Sequence, residues 1–112
     1  MLRQSYTAVV ERAERLRDQF STEPYEAGWA SEAVIFMKVI ETMDPSVEIR
    51  AGVQISPDGV DWVDEGTTFS VIRQEGLYFV KVAHFGNWLR VSGHVSGAAD
   101  GVRALVYVVL KE

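Results

Sequence analysis

Apolar and polar residues alternate along much of the chain. Val47, Ile49, Ala51, Val53 and Ile55 are separated by Glu48, Arg50, Gly52 and Gln54. A period of two predicts a half-buried β-strand. The stretch Trp88 to Val95 repeats the pattern, with Leu89, Val91 and Val95 set against Arg90, Ser92 and His94. Two further runs are apolar on both faces. One is Glu32 to Thr42, centred on Ala-Val-Ile-Phe-Met-Lys-Val-Ile. The other is Val102 to Leu110, with Val102, Ala104, Val106, Val108 and Leu110 on one side and Leu105, Tyr107 and Val109 on the other. Shorter strands are predicted at 60–63, 67–72 and 77–83. Turn chemistry separates them at Asp44-Pro45-Ser46, Ser56-Pro57-Asp58-Gly59, Gln74-Glu75-Gly76 and Phe85-Gly86-Asn87. Closely spaced strands with no helices between them favour an antiparallel fold. The expected architecture is mainly β: a jelly-roll-like antiparallel β-sandwich of six to eight strands.

The front of the chain has a different period. Leu2, Tyr6, Val9, Val10, Ala13, Leu16 and Phe20 recur mostly three or four apart, opposite Arg3, Gln4, Glu11, Arg12, Glu14, Arg15 and Asp18. That spacing predicts an amphipathic helix over 1–22, ended by Ser21-Thr22-Glu23-Pro24. The sandwich then occupies 23–112, and the two form one structural unit.

A two-layer sandwich buries only one face of each sheet. The strands that are apolar on both faces need further cover. The helix supplies part of it, and a neighbouring subunit supplies the rest. The residues expected at such contacts are Leu2, Tyr6, Val9, Leu16, Phe20, Leu105, Tyr107 and Val109. The expected partner is the chain itself, as a homo-oligomer, or a larger protein shell.

Composition narrows the function. The chain has 112 residues, 47% of them hydrophobic, which suits one folded domain. It has no cysteine, so disulfides and thiolate chemistry are excluded. A net charge of −5, with scattered Lys and Arg, argues against nucleic acid. No run approaches the ~18 apolar residues of a membrane span. Acids and arginines in the first twenty residues are unlike a signal peptide. A soluble protein made in the cytoplasm and associated with a virion or similar particle fits these features; the compartment itself is not specified.

The most specific local signal is Ser56-Pro57-Asp58-Gly59-Val60-Asp61-Trp62. Pro57 presets φ for a turn, and Gly59 accepts positive φ. Asp58 can accept backbone N–H groups of its own turn, and Trp62 can anchor on the sheet. Ser56, Asp58, Gly59 and Trp62 are therefore the predicted structural turn. The stretch resembles the Ser-x-Asp-Gly-x-x-Trp hairpin of discoidin-like β-sandwich modules. It is also similar to the Asp-box turn of sialidases, one residue shorter and with Asp61 where that motif prefers Thr. A broader likeness spans about Pro24 to Leu110. It includes Tyr25-Glu26-Ala27-Gly28-Trp29, the strand from Ala33 to Ile40, the hairpin, and Phe85-Gly86-Asn87-Trp88-Leu89-Arg90-Val91. This arrangement resembles small β-sandwich modules of bacteriophage structural proteins and phage-derived bacterial proteins. The resemblance implies a module that decorates or connects a larger assembly.

Other chemistry is sparse. Asp58, Asp61, Asp64 and Glu65 cluster in sequence, but not at EF-hand spacing, and read as a turn aspartate with solvated acids. His84 and His94 stand in no recognisable catalytic spacing. No serine sits in a nucleophile elbow, and no glycine-rich phosphate loop precedes a helix. No catalytic, cofactor or metal residue is predicted, and an enzyme is not expected. Trp29, Trp62 and Trp88, with Tyr25, Tyr78 and Tyr107, leave a carbohydrate-binding module as the alternative. A small hydrolase is a weaker third. The few amides, Asn87 and four Gln, lean against a lectin.

Overall fold

The structure is a computed structural model that describes residues 5–98 and 100–112. It contains nine strands: β1 (Ser5–Leu16), β2 (Gln19–Ser21), β3 (Tyr25–Glu26), β4 (Glu32–Val39), β5 (Glu48–Ser56), β6 (Val63–Thr68), β7 (Gly76–Ala83), β8 (Trp88–Ser96) and β9 (Val102–Lys111). They form two antiparallel sheets. The first has the order β1-β9-β4-β7; the second has β2-β8-β5-β6, with β3 also on β8. The short strands β2 and β3 act as one interrupted edge strand. Thr22 bridges the gap: its N–H donates to the Val91 carbonyl at 2.9 Å, and its Oγ1 accepts from the Val91 N–H at 3.0 Å. Counting that edge once, each sheet has four rows. Apart from the β5–β6 hairpin, the connections between these rows cross from one sheet to the other, which is the wrapping of a jelly roll.

The alternation read in the sequence sets the core. Ala33, Ile35, Met37 and Val39 of β4 and Val102 to Leu110 at every second position of β9 are buried in the first sheet. They face Ile49, Ala51 and Val53 of β5 and Leu89, Val91 and Val95 of β8. Gly93 lets β8 approach β5. A Cβ there would stand 2.4 Å from the Arg50 carbonyl oxygen and 2.9 Å from Ala51 Cα.

The front segment departs from the expected helix over 1–22. Its described part is β1, the edge strand paired with β9, followed by a corner at Asp18 and then β2 in the other sheet. No helix occurs among the described residues. The front segment is thus part of the sandwich. The reason lies in two register shifts, between Val9 and Glu11 and between Arg12 and Glu14. Each bulge adds one residue to β1. Positions of one strand face then recur three apart across each bulge, which is also the spacing of a helix face. The corner needs Asp18 at φ 43, a left-handed conformation that Asp tolerates better than most residues. Its carbonyl accepts the Val95 N–H at 2.8 Å.

Candidate functional site

The Ser56–Trp62 turn is held by its own side chains. The Ser56 hydroxyl, 1% exposed, accepts the N–H groups of Asp58 (3.2 Å) and Gly59 (2.8 Å) and donates to Asp58 Oδ1 (3.0 Å). The same Oδ1 accepts the N–H groups of Val60 and Asp61, each at 2.9 Å. These bonds favour the carboxylate. The Asp61 and Val60 amides first, then the Ser56 hydroxyl, lower the Asp58 pKa to about 2. Gly59 has φ +80, and a Cβ there would lie 3.2 Å from the Trp88 ring.

Trp62, the predicted anchor of the turn, is half-buried, and the Arg90 guanidinium lies 4.2 Å from its ring centroid. Arg90 Nε also donates to Gln54 Oε1 at 2.8 Å, and Gln54 Nε2 donates to Asp64 at 3.0 Å. The tryptophan therefore ends a polar chain across the outer face of the second sheet. The pairing of β5 with β8 places Arg50, Gly52 and Gln54 level with His94, Ser92 and Arg90 on that face. A depression of about 590 Å³ between β5 and β6 is lined by Arg50, Asp64, Thr67, Thr68 and Ser92, among others. Its one aromatic, Phe69, is 6% exposed.

The clustered acids do not converge. Asp58 and Asp64 are bonded as described, and Glu65 accepts from both the N–H and the hydroxyl of Thr67. Among the described residues, no group of three His, Asp or Glu side chains is placed to share a metal ion. His84 is exposed at the end of β7, and His94 is exposed on β8, in the other sheet.

The outer face of the first sheet has the opposite character. Register sets Phe79, Phe36 and Tyr107 in one row across β7, β4 and β9. The adjacent rows are Lys81, Val34 and Val109 on one side and Leu77, Lys38 and Leu105 on the other. The rings of Phe36 and Phe79 lie 6.0 Å apart in a tilted pair. Leu77 is 61% exposed and Phe79 57%. Val34, Phe36, Leu105, Tyr107 and Val109 are half-buried.

The predicted contact residues thus divide. Leu105, Tyr107 and Val109 fall on this outer face. Leu16 is 4% exposed in the chain's own core, so it offers no surface to a partner; as the last residue of β1 it faces the interior. Phe20 is half-buried against the same core. Tyr6 and Val9 are placed by backbone register only, opposite Leu110 and Tyr107. Leu2 lies outside the described residues. Sequence reasoning passed over Phe36, Leu77 and Phe79. The signal was present in the unbroken apolar run of 77–80, but their union into one row depends on β7 pairing with β4.

Three of the four stretches that carry the family likeness meet at one end of the sandwich. The Asn87 side-chain amide donates to the Pro57 carbonyl at 3.1 Å, and the Asn87 carbonyl accepts the Ala27 N–H at 2.7 Å. Gly28 N–H is bonded to Glu26 at 3.0 Å beside them.

No protein family profile matches the sequence, and no curated protein matches it. Solved structures do match the fold. The SPBc2 prophage-derived protein YomS superposes with a TM-score of 0.64 at 9% identity, over 100% of this chain and 96% of that one. The PBSX exported protein XepA gives 0.59 at 11% identity, over 97% of this chain but 36% of its own length. Latent PorU from Porphyromonas gingivalis, solved as a dimer, gives 0.56 at 9%, over 13% of its length. At such identities the likeness is one of fold, shared with a prophage-derived protein along nearly its whole length.

Proposed function

We propose that the protein is a non-enzymatic structural module of a phage-type assembly, and that it self-associates through the outer face of its first sheet. The observation that carries this reading is the apolar surface formed by Phe36, Leu77, Phe79, Leu105, Tyr107 and Val109 on the solvent side of that sheet. Extended apolar patches are uncommon on soluble monomers and mark contact surfaces. The fold it shares with YomS supports a phage-related role. The polar outer face of the second sheet is left to solvent.

The test is mass by light scattering at micromolar concentration. The expected result is a species heavier than the 12.5 kDa chain. Replacing Phe36 and Tyr107 together by Lys is expected to shift it towards monomer with the circular dichroism unchanged. A folded wild-type monomer at every concentration overturns the proposal.

Sugar binding is the second reading, favoured by Trp29, which is 43% exposed, and by the half-buried Trp62. Against it, Arg90 already occupies one face of the Trp62 ring, where a sugar would stack. Binding on a glycan array that is lost in Trp29→Ala would favour this reading.

A further inference from the structure

The two sheets expose four edges, and three of them are blunted against strand addition. The β1 edge carries two bulges and the charged run Glu11, Arg12, Glu14, Arg15. The β2/β3 edge consists of three- and two-residue strands with Pro24 between them. The β6 edge is short, contains Asp64, Glu65 and Gly66, and shifts register against β5. Short length, bulges, proline and charge are the usual guards of a free edge. The β7 edge has almost none of these. It runs eight residues in unbroken register with β4, holds no proline, and has Lys81 as its single charge.

This edge also borders the apolar face, through Leu77 and Phe79. We infer that β7 pairs antiparallel with β7 of a second copy about a two-fold axis at Tyr78, joining two first sheets into one of eight strands. The inference rests on the self-association proposed above and adds an edge contact to it, one that makes the apolar faces of two copies a single continuous surface. Side-chain complementarity selects the register. With Tyr78 opposite Tyr78, Leu77 stands level with Phe79 of the copy, and Glu75 level with Lys81 of the copy. Symmetry repeats each crossing. Two apolar pairs thus flank the axis, and an ion pair lies outside each. Both Glu75 and Lys81 are exposed, and neither joins an ion pair among the described residues. A two-fold contact of this kind is closed, because both copies spend the same edge.

Charge exchange tests it. Wild-type protein is expected at twice 12.5 kDa in light scattering. Glu75→Lys and Lys81→Glu each put like charges at both crossings, and each is expected to raise the dimer dissociation constant by about tenfold. An equimolar mixture of the two variants restores the dimer, since opposite charges then meet at both crossings. Melting temperatures near wild type establish that each variant folds. An oligomer whose mass ignores both changes, or a mixture that stays dissociated, overturns the β7 pairing and leaves the broader proposal standing. A wild-type monomer overturns both.

Discussion

The side-chain amide of Asn87 donates to the carbonyl of Pro57 at 3.1 Å, tying the turn before β8 to the turn after β5. A local hairpin is thereby fixed to the end of the sandwich. Asn87→Ala is expected to destabilise the fold by about 0.5–1.5 kcal/mol, the range for one net hydrogen bond. Urea unfolding measures it. A midpoint equal to wild type would mean that water replaces the amide at no cost.

Asp58 gives the turn a pH dependence. Its carboxyl is lowered from 3.8 to about 2 by the Asp61 and Val60 amides and the Ser56 hydroxyl. The folded state therefore holds this proton less readily than the unfolded state. The stabilisation is fully present above the unfolded value and is lost as pH falls from about 4 towards 2. Asp58→Asn removes the titration. The stability gap between wild type and this variant is expected to narrow across that window; a gap that stays constant from pH 5 to pH 2 would refute the assignment.

Trp62 and Arg90 should be coupled through the ring contact at 4.2 Å. A double-mutant cycle with Trp62→Leu and Arg90→Met is expected to give about 0.5–1 kcal/mol, as for exposed cation–π pairs. Additive single effects would show that the two side chains are neighbours without attraction.

Gly93 is set by backbone crowding. Because a Cβ would stand 2.4 Å from the Arg50 carbonyl, Gly93→Ala must push β5 and β8 apart. The expected cost is about 1–3 kcal/mol, the usual penalty of overpacking. Chemical denaturation measures it, and a variant as stable as wild type would contradict the close approach.

Most of the strand content was legible, because the alternation in β5 and β8 admits one reading and the apolar run of β9 is preceded by turn residues. The two-faced apolar runs Ala33 to Ile40 and Val102 to Leu110 fall almost wholly in β4 and β9, whose outer faces carry Val34, Phe36, Leu105, Tyr107 and Val109. The front segment has helical spacing in sequence because the bulges of β1 break the period of two over Ser5–Leu16, and the pairing that reveals them lies with β9. The anchoring of Trp62 was legible, whereas its ring contact with Arg90 was not, because that partner lies 28 positions on, in β8. The chemistry of the Ser56–Asp58 turn was readable because every bond in it is local.

The pairing of β1 with β9 also bears on how the protein is made. A ribosome delivers Ser5–Leu16 long before Val102–Lys111 exists, so the first strand has no partner while the rest is being synthesised. Sheet formation must wait for β9, which lies between β1 and β4 and joins both. Half the sandwich therefore forms only once β9 has been made, and slowly, in the manner of chains dominated by distant pairings. In that interval Glu11, Arg12, Glu14 and Arg15 are charges of the kind that disfavour pairing of a free segment with its neighbours.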